Sequence, residues 1–300
     1  MRPRAGSCVL VLLAVLTACG SAGGARSQVS AAAVIRFSAY DFSENQILAA
    51  VYAEGLRRAG LPVAVQLGAG TREVIEPALE QGVSDVVVDY LGTALDFAQP
   101  TGSSAGRSPE DLRSALATAM APRGVTVLDP STAEDQNGFA VSTAFAAEYG
   151  VTRLSDLAPL AGALTFGGPP ECPSRPLCLQ GLQRTYGLGF GKVAALASRA
   201  ATVEALVDGQ IEVGLLETTD ARLGSAPVVL LTDDRALQPH ENVVPLVRSA
   251  TLRRWGPRVA TALNDVSARL TTVELVQLNR SVEIDGLSPA RAAARWWAAG

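Results

Sequence analysis

From Val34 onward, short apolar runs alternate with stretches in which apolar residues return at the helical period. A strand is expected over 34–39. Ser43 with Gln46 three residues later suggests a capping box ahead of a helix over 46–59, which Gly60 stops. A strand at 63–67, a helix at 73–80 ending near Gly82, a strand at 85–88, a Gly/Ser/Pro-rich loop at 99–109, a helix at 110–120 and a strand at 125–128 follow. After a polar crossing at 129–138 come a strand at 139–142, a helix to 149, a strand at 163–166, a helix at 179–186 and a helix–strand pair over 202–208 and 211–215. A second crossing falls at 225–232, and the tail over 252–297 is helical with breaks at 256–257, 270–271 and 288–289. Strand and helix in alternation predict an α/β protein.

The first residues have a different pattern. Arg2 and Arg4 precede an apolar run over 9–16 that is too short for a permanent membrane helix and is built like a secretory signal. The run ends in Leu16-Thr17-Ala18-Cys19-Gly20, which resembles the lipobox of bacterial lipoproteins. Residues 1–18 therefore read as a signal peptide, and 19–33 as a tether lipidated at Cys19 that anchors an extracytoplasmic protein to the outer face of the cell membrane.

Composition narrows the function. The chain has 300 residues, 48% hydrophobic and 18% charged, enough to bury a core, and its formal charge of -4 argues against nucleic acid. Its single histidine, His240, leaves a hydrolase triad or a histidine metal site almost nothing to work with. Gly187 to Lys192 lacks the spacing of a phosphate loop, Asp233-Asp234 reads as a solvated turn, and no G-x-S-x-G elbow is present. Neither metal, cofactor nor enzymatic activity is expected. With Cys8 in the signal and Cys19 lipidated, Cys172 and Cys178 remain, and outside the cytoplasm a disulfide is favoured over a free pair.

The order of several stretches resembles the substrate-binding proteins of ABC importers for glycine betaine, carnitine, choline and proline betaine. They are Phe42-Ser43-Glu44-Asn45-Gln46-Ile47-Leu48, Arg72-Glu73-Val74 to Leu79, Asp89-Tyr90-Leu91-Gly92-Thr93, Ser155-Asp156-Leu157, Glu171 with Arg175, Gly181 to Gly187, Thr219-Asp220, Leu231 to Asp234, Pro239 to Pro245 and Leu278-Asn279. The resemblance implies a two-lobed periplasmic-binding-protein-like clamp of type II, with a ligand cleft between lobes and two hinge crossings. Lobe I would comprise 34–131 and 227–300, and lobe II 132–226. It further implies a small cationic solute, an ABC permease and its ATPase subunits as partners.

In that family a trimethylammonium group is held against aromatic faces, and a ligand carboxylate by cationic and hydroxyl donors. By resemblance, Tyr90 is one cage ring and Thr93 a hydroxyl donor, Phe139 stands at a second cage position, and Arg175 matches the carboxylate clamp. Core packing for Phe139 and a local ion pair between Arg175 and Glu171 are the competing readings. Glu217 and Glu241 occupy the other two cage positions, unless a one-residue shift places Leu216 and His240 there, so half the aromatic wall would be replaced by carboxylates. Tyr40 stands at or near a first-loop lysine of some relatives. Asn45, Asn137 and Glu171 complete the expected cleft set. The acidic replacements leave open a different cationic or polar solute, and a secreted enzyme on a related scaffold is the remaining alternative.

Overall fold

The structure is a computed structural model that describes residues 34–99 and 104–299. The expected signal, Cys19 and the tether lie outside the described residues.

The chain opens with β1 (Ile35–Ser38), α1 (Ser43–Arg58), β2 (Val63–Gln66), α2 (Arg72–Glu80), β3 (Val86–Tyr90), α3 (Leu91–Ala98), α4 (Pro109–Met120) and β4 (Val125–Val127). It crosses into β5 (Asn137–Ser142), α5 (Thr143–Tyr149), β6 (Thr165–Gly168), α6 (Leu179–Gly181), β7 (Lys192–Ala195), α7 (Arg199–Val207), β8 (Val213–Glu217) and β9 (Val228–Leu231). It then returns to β10 (Val243–Arg248) and ends in α8 (Ser249–Trp255), α9 (Arg258–Arg269), α10 (Thr272–Glu283) and α11 (Pro289–Ala299).

Two five-stranded mixed sheets result, ordered β2-β1-β3-β10-β4 and β7-β6-β8-β5-β9. They share one plan. Three parallel strands carry, beside the third, the strand that has just arrived from the other sheet, and that strand runs antiparallel. The two crossing segments touch through an isolated antiparallel bridge, Glu134 to Asn242. Ile35, Phe37, Val86 and Val88 face α1, α9 and α10 on one side of the first sheet, while Val87, Val244 and Leu246 face α3 and α4 on the other. The near-continuous burial of β3 is what a strand covered on both faces requires. The second sheet is likewise covered on both faces.

Several sequence expectations change. Val228–Leu231 pairs antiparallel with β5, so the chain leaves the second sheet after Leu231, not at 226. The polar residues before this run mark a turn inside lobe II, and the return crossing is 232–242. Ser43 caps nothing. It is already inside α1, whose N-cap is Phe42 without a side-chain bond. The helix expected over 179–186 is a three-residue α turn followed by a π turn, Leu182–Tyr186. α3, β7 and β10 were not anticipated. Cys172 and Cys178 are joined by a disulfide with Cα atoms 5.4 Å apart.

Candidate functional site

The carboxyl ends of the parallel strands face one another across the two sheets, which is where open α/β sheets place their ligands. The loop after β1 delivers Phe42, the first turn of α1 carries Glu44, β3 ends in Tyr90, β8 ends in Glu217, and the first crossing carries Asp135. With Arg199 of α7, Thr219, Asp220, Arg222, and Asn279 and Glu283 of α10, most of these line a cleft of about 220 Å³.

Tyr90 lies just behind that cleft. Its hydroxyl donates to Glu44 Oε1 at 2.6 Å, and Asn279 Nδ2 donates to Glu44 Oε2 at 2.7 Å and to the Thr219 carbonyl at 3.0 Å. Asn279 Oδ1 is buried without a partner. Thr219 Oγ1 donates to Asp135 Oδ1 at 2.8 Å. Phe42 is 42% exposed, and its ring stacks 6.3 Å from that of Tyr90. The cleft thus has one exposed aromatic ring, Phe42, among its lining carboxylates Glu44 and Asp135.

The charge is unbalanced. Five carboxylates line the cleft against two guanidiniums, and both guanidiniums are engaged. Arg199 clasps Glu217 through Nε at 2.6 Å and through Nη2, and Arg222 meets Asp220 at 3.4 Å. Burial lifts the pKa of Glu44, against the donors Thr219, Tyr90 and Asn279, and the nearby Glu217 charge lifts it further. Asp135 is pushed well up by burial and by Glu44. Burial also raises Glu283. A cation in the cleft would favour the ionised form of such carboxyls.

The other expected site residues have different surroundings. Phe139 is 1% exposed and packs on Phe166, at 6.3 Å, within the lobe II core, so it does not face the cleft. Its ring belongs to the apolar cluster of that core, and Asn137, two residues earlier on β5 and opposite Glu217, donates through Nδ2 to Gln238 Oε1 at 3.2 Å. Arg175 pairs with Glu171 at 2.8 Å on the exposed disulfide loop, where both side chains are about half exposed. This is the local ion pair and not a clamp on the described cleft. Tyr40 is buried, donating to Asp89 Oδ2 at 2.6 Å and Glu76 Oε1 at 3.2 Å beneath the Arg72 guanidinium. Asn45 ties Tyr40 N to the Val88 carbonyl. Thr93 donates through N, at 3.0 Å, and Oγ1, at 2.6 Å, to Glu241, whose carboxyl burial lifts to about 7. That contact needs Gly92: a Cβ there would lie 3.0 Å from Glu241 Oε1 and from the His240 carbonyl. Of the expected set, Glu217 lines the cleft and Tyr90 backs it.

Two α/β lobes, linked by paired crossings and facing a cleft at the ends of their parallel strands, define a type II periplasmic-binding-protein-like clamp. One solved structure, described as a glycine betaine/carnitine/choline ABC transporter, superposes with a TM-score of 0.82 over 88% of this chain and 98% of that one, at 22% identity. The glycine-betaine-binding protein of Pseudomonas aeruginosa is 27% identical over 273 residues, 88% of this chain and 86% of the relative. The glycine betaine-binding protein YehZ of Escherichia coli is 24% identical over 276 residues, 89% of this chain and 90% of the relative. Residues 33–299 match the substrate binding domain of ABC-type glycine betaine transport systems, and the chain belongs to that family. Its members are solute-binding proteins of ABC transporters, not enzymes.

Proposed function

We propose that the protein is the extracytoplasmic receptor of an ABC importer, anchored through lipid on Cys19, and that it captures glycine betaine or a related quaternary ammonium solute for its permease and ATPase. The observation that carries the solute reading is the cleft that Phe42, stacked on Tyr90, lines together with Glu44 and Asp135, two carboxyls whose pKa values burial raises. A trimethylammonium head offers no N–H, so a π face and an uncompensated negative field are what can hold it. Family membership supports the importer reading.

The cleft's guanidiniums are already committed to Glu217 and Asp220, so a ligand carboxylate would have to compete for Arg199 or Arg222. Choline, which lacks a carboxylate, is therefore a fair rival to glycine betaine at this site. Calorimetric titration with glycine betaine, choline and carnitine tests the proposal. A quaternary ammonium ligand should bind with a Kd in the micromolar range, about 8 kcal/mol of binding free energy. Heat from none of the three would refute it.

A further inference from the structure

A second groove, of about 640 Å³, lies on the first lobe among the end of α1, α9 and α11. Three of its lining residues are arginines, Arg58, Arg258 and Arg269, against a single carboxylate, Asp265, on a chain whose formal charge is -4. The arginines are held on aromatic and backbone groups. The Arg58 guanidinium lies 5.0 Å from the Trp297 ring centre, Arg269 lies 4.4 Å from Trp296 and 4.6 Å from Trp297, and Arg258 Nη2 donates to the Ala59 carbonyl. Arg58 also meets Glu54, at 3.3 Å, while Arg269 has no carboxylate within ion-pair distance among the described residues. Gly55 permits this packing, since a Cβ there would sit 3.2 Å from the Trp297 ring.

The chain enters the lobe beside this groove. Ile35 N donates to the Pro62 carbonyl, and Pro62 is three residues beyond Ala59, a groove wall. Val34 therefore leaves within about 16 Å of that wall, three Cα steps and one strand spacing away at most. Any tether running from residue 33 starts at this face, and 14 residues between Cys19 and Val34 can reach at most about 50 Å. Arginine with indole is also the pairing that suits the boundary between water and a bilayer, where the guanidinium meets phosphate and the ring takes the interfacial layer.

We infer that this Arg/Trp groove is a membrane-docking face, which seats the phosphate of an anionic phospholipid headgroup and lays the first lobe on the bilayer to which the protein is tethered. The inference rests on the lipid-anchored reading of Cys19 and is independent of which solute the cleft takes. Each arginine removed should weaken headgroup attraction about fivefold, and the attraction should fade as salt shortens the screening length.

The full chain supplies its own probe, because all three tryptophans belong to this lobe's helical back, Trp255 ending α8 and Trp296 and Trp297 on α11. The lipidated protein would be reconstituted into vesicles of phosphatidylcholine, with or without phosphatidylglycerol, that carry brominated acyl chains, and tryptophan quenching measured. Flotation of the protein with the vesicles reports the anchor separately. Quenching should appear with phosphatidylglycerol, fall to the phosphatidylcholine level in the Arg58→Gln/Arg258→Gln/Arg269→Gln variant, and rise in Asp265→Lys, with unchanged glycine betaine titration showing that each variant is folded. Equal quenching in both lipids, or no response to any of these substitutions, would overturn the inference. Saturable binding of inorganic phosphate without any dependence on phosphatidylglycerol would overturn the bilayer as the source of that phosphate.

Discussion

A cation entering the cleft should expel protons. Glu44 and Asp135 hold their protons above the ordinary carboxyl range because burial penalises the charged forms, helped at Glu44 by the Glu217 charge and at Asp135 by the Glu44 charge. A cation placed about 4 Å away is worth about 4 kcal/mol to an ionised carboxylate at an effective dielectric constant near 20. At 1.36 kcal/mol per pKa unit, that is enough to move a raised carboxyl down by about 3 units. The empty protein is then the protonated one and the loaded protein the ionised one, so affinity rises with pH while the empty carboxyl is still titrating. One carboxyl contributes up to tenfold per pH unit between its lowered value in the loaded protein and its raised value in the empty one. Choline is the ligand to use, because it has no group that titrates in this range. Asp135→Asn keeps an oxygen for the Thr219 hydroxyl and removes one proton from the linkage. Its affinity should match the parent's in acid and lag it increasingly as pH rises, with a shallower slope. Calorimetry in two buffers of different ionisation enthalpy counts the protons directly. A binding enthalpy independent of buffer, together with a flat pH profile in the parent, would show that these carboxyls do not face the bound cation.

Four further outcomes can be measured. Phe42→Ala should weaken choline binding about fivefold through loss of one cation–π face, whereas Phe139→Leu, in the lobe II core, should leave the Kd unchanged while lowering the melting temperature. Glu241→Gln should be more stable than the parent above about pH 7, by up to about 3 kcal/mol, and no different near pH 4.5. The sign follows because a carboxyl raised to about 7 loses folded-state stability as pH climbs through that value, and denaturant melts at the two pH values read it. Reducing Cys172–Cys178 should cost about 2 kcal/mol by the loop-entropy relation for so short a ring, with solute affinity nearly unchanged because Arg175 and Glu171 do not line the cleft; parallel melts and titrations with and without reductant check both parts. Cys19→Ala should shift the protein out of the mature membrane-bound fraction, and unchanged fractionation would refute the anchor.

The alternation of strand and helix was legible because each buried strand is a compact apolar run and each helix has a periodic face. What escaped were elements whose identity depends on distant partners. β10 reads as a loop around Pro239 and Pro245, yet it lies between β3 and β4, and Pro245 fits because the bonding there is made by its carbonyl to Leu128 N. In the site, the described cleft draws on several of the stretches that carry the resemblance, through side chains other than most of those the resemblance pointed to. Phe42 and Glu44 stood in the first matching stretch, beside the Asn45 that was chosen, and Asn279 stood in the last. Arg199 carried no signal in the sequence, because its role comes from the start of α7 lying against the end of β8.

The position of β10 also has a consequence for biogenesis. The second lobe is one uninterrupted stretch of chain, so all its strands are available once Leu231 has emerged. The first lobe cannot close its sheet until residues 243–248 arrive to join β3 to β4, and its main apolar layer waits further for α9, α10 and α11. If the chain is exported as proposed, the N-terminal third lacks the strand that joins β3 to β4 until nearly the whole polypeptide has crossed, which favours a threadable chain over a prematurely folded one. A C-terminal truncation before Val243 should accordingly leave the second lobe able to fold and the first exposed to proteolysis.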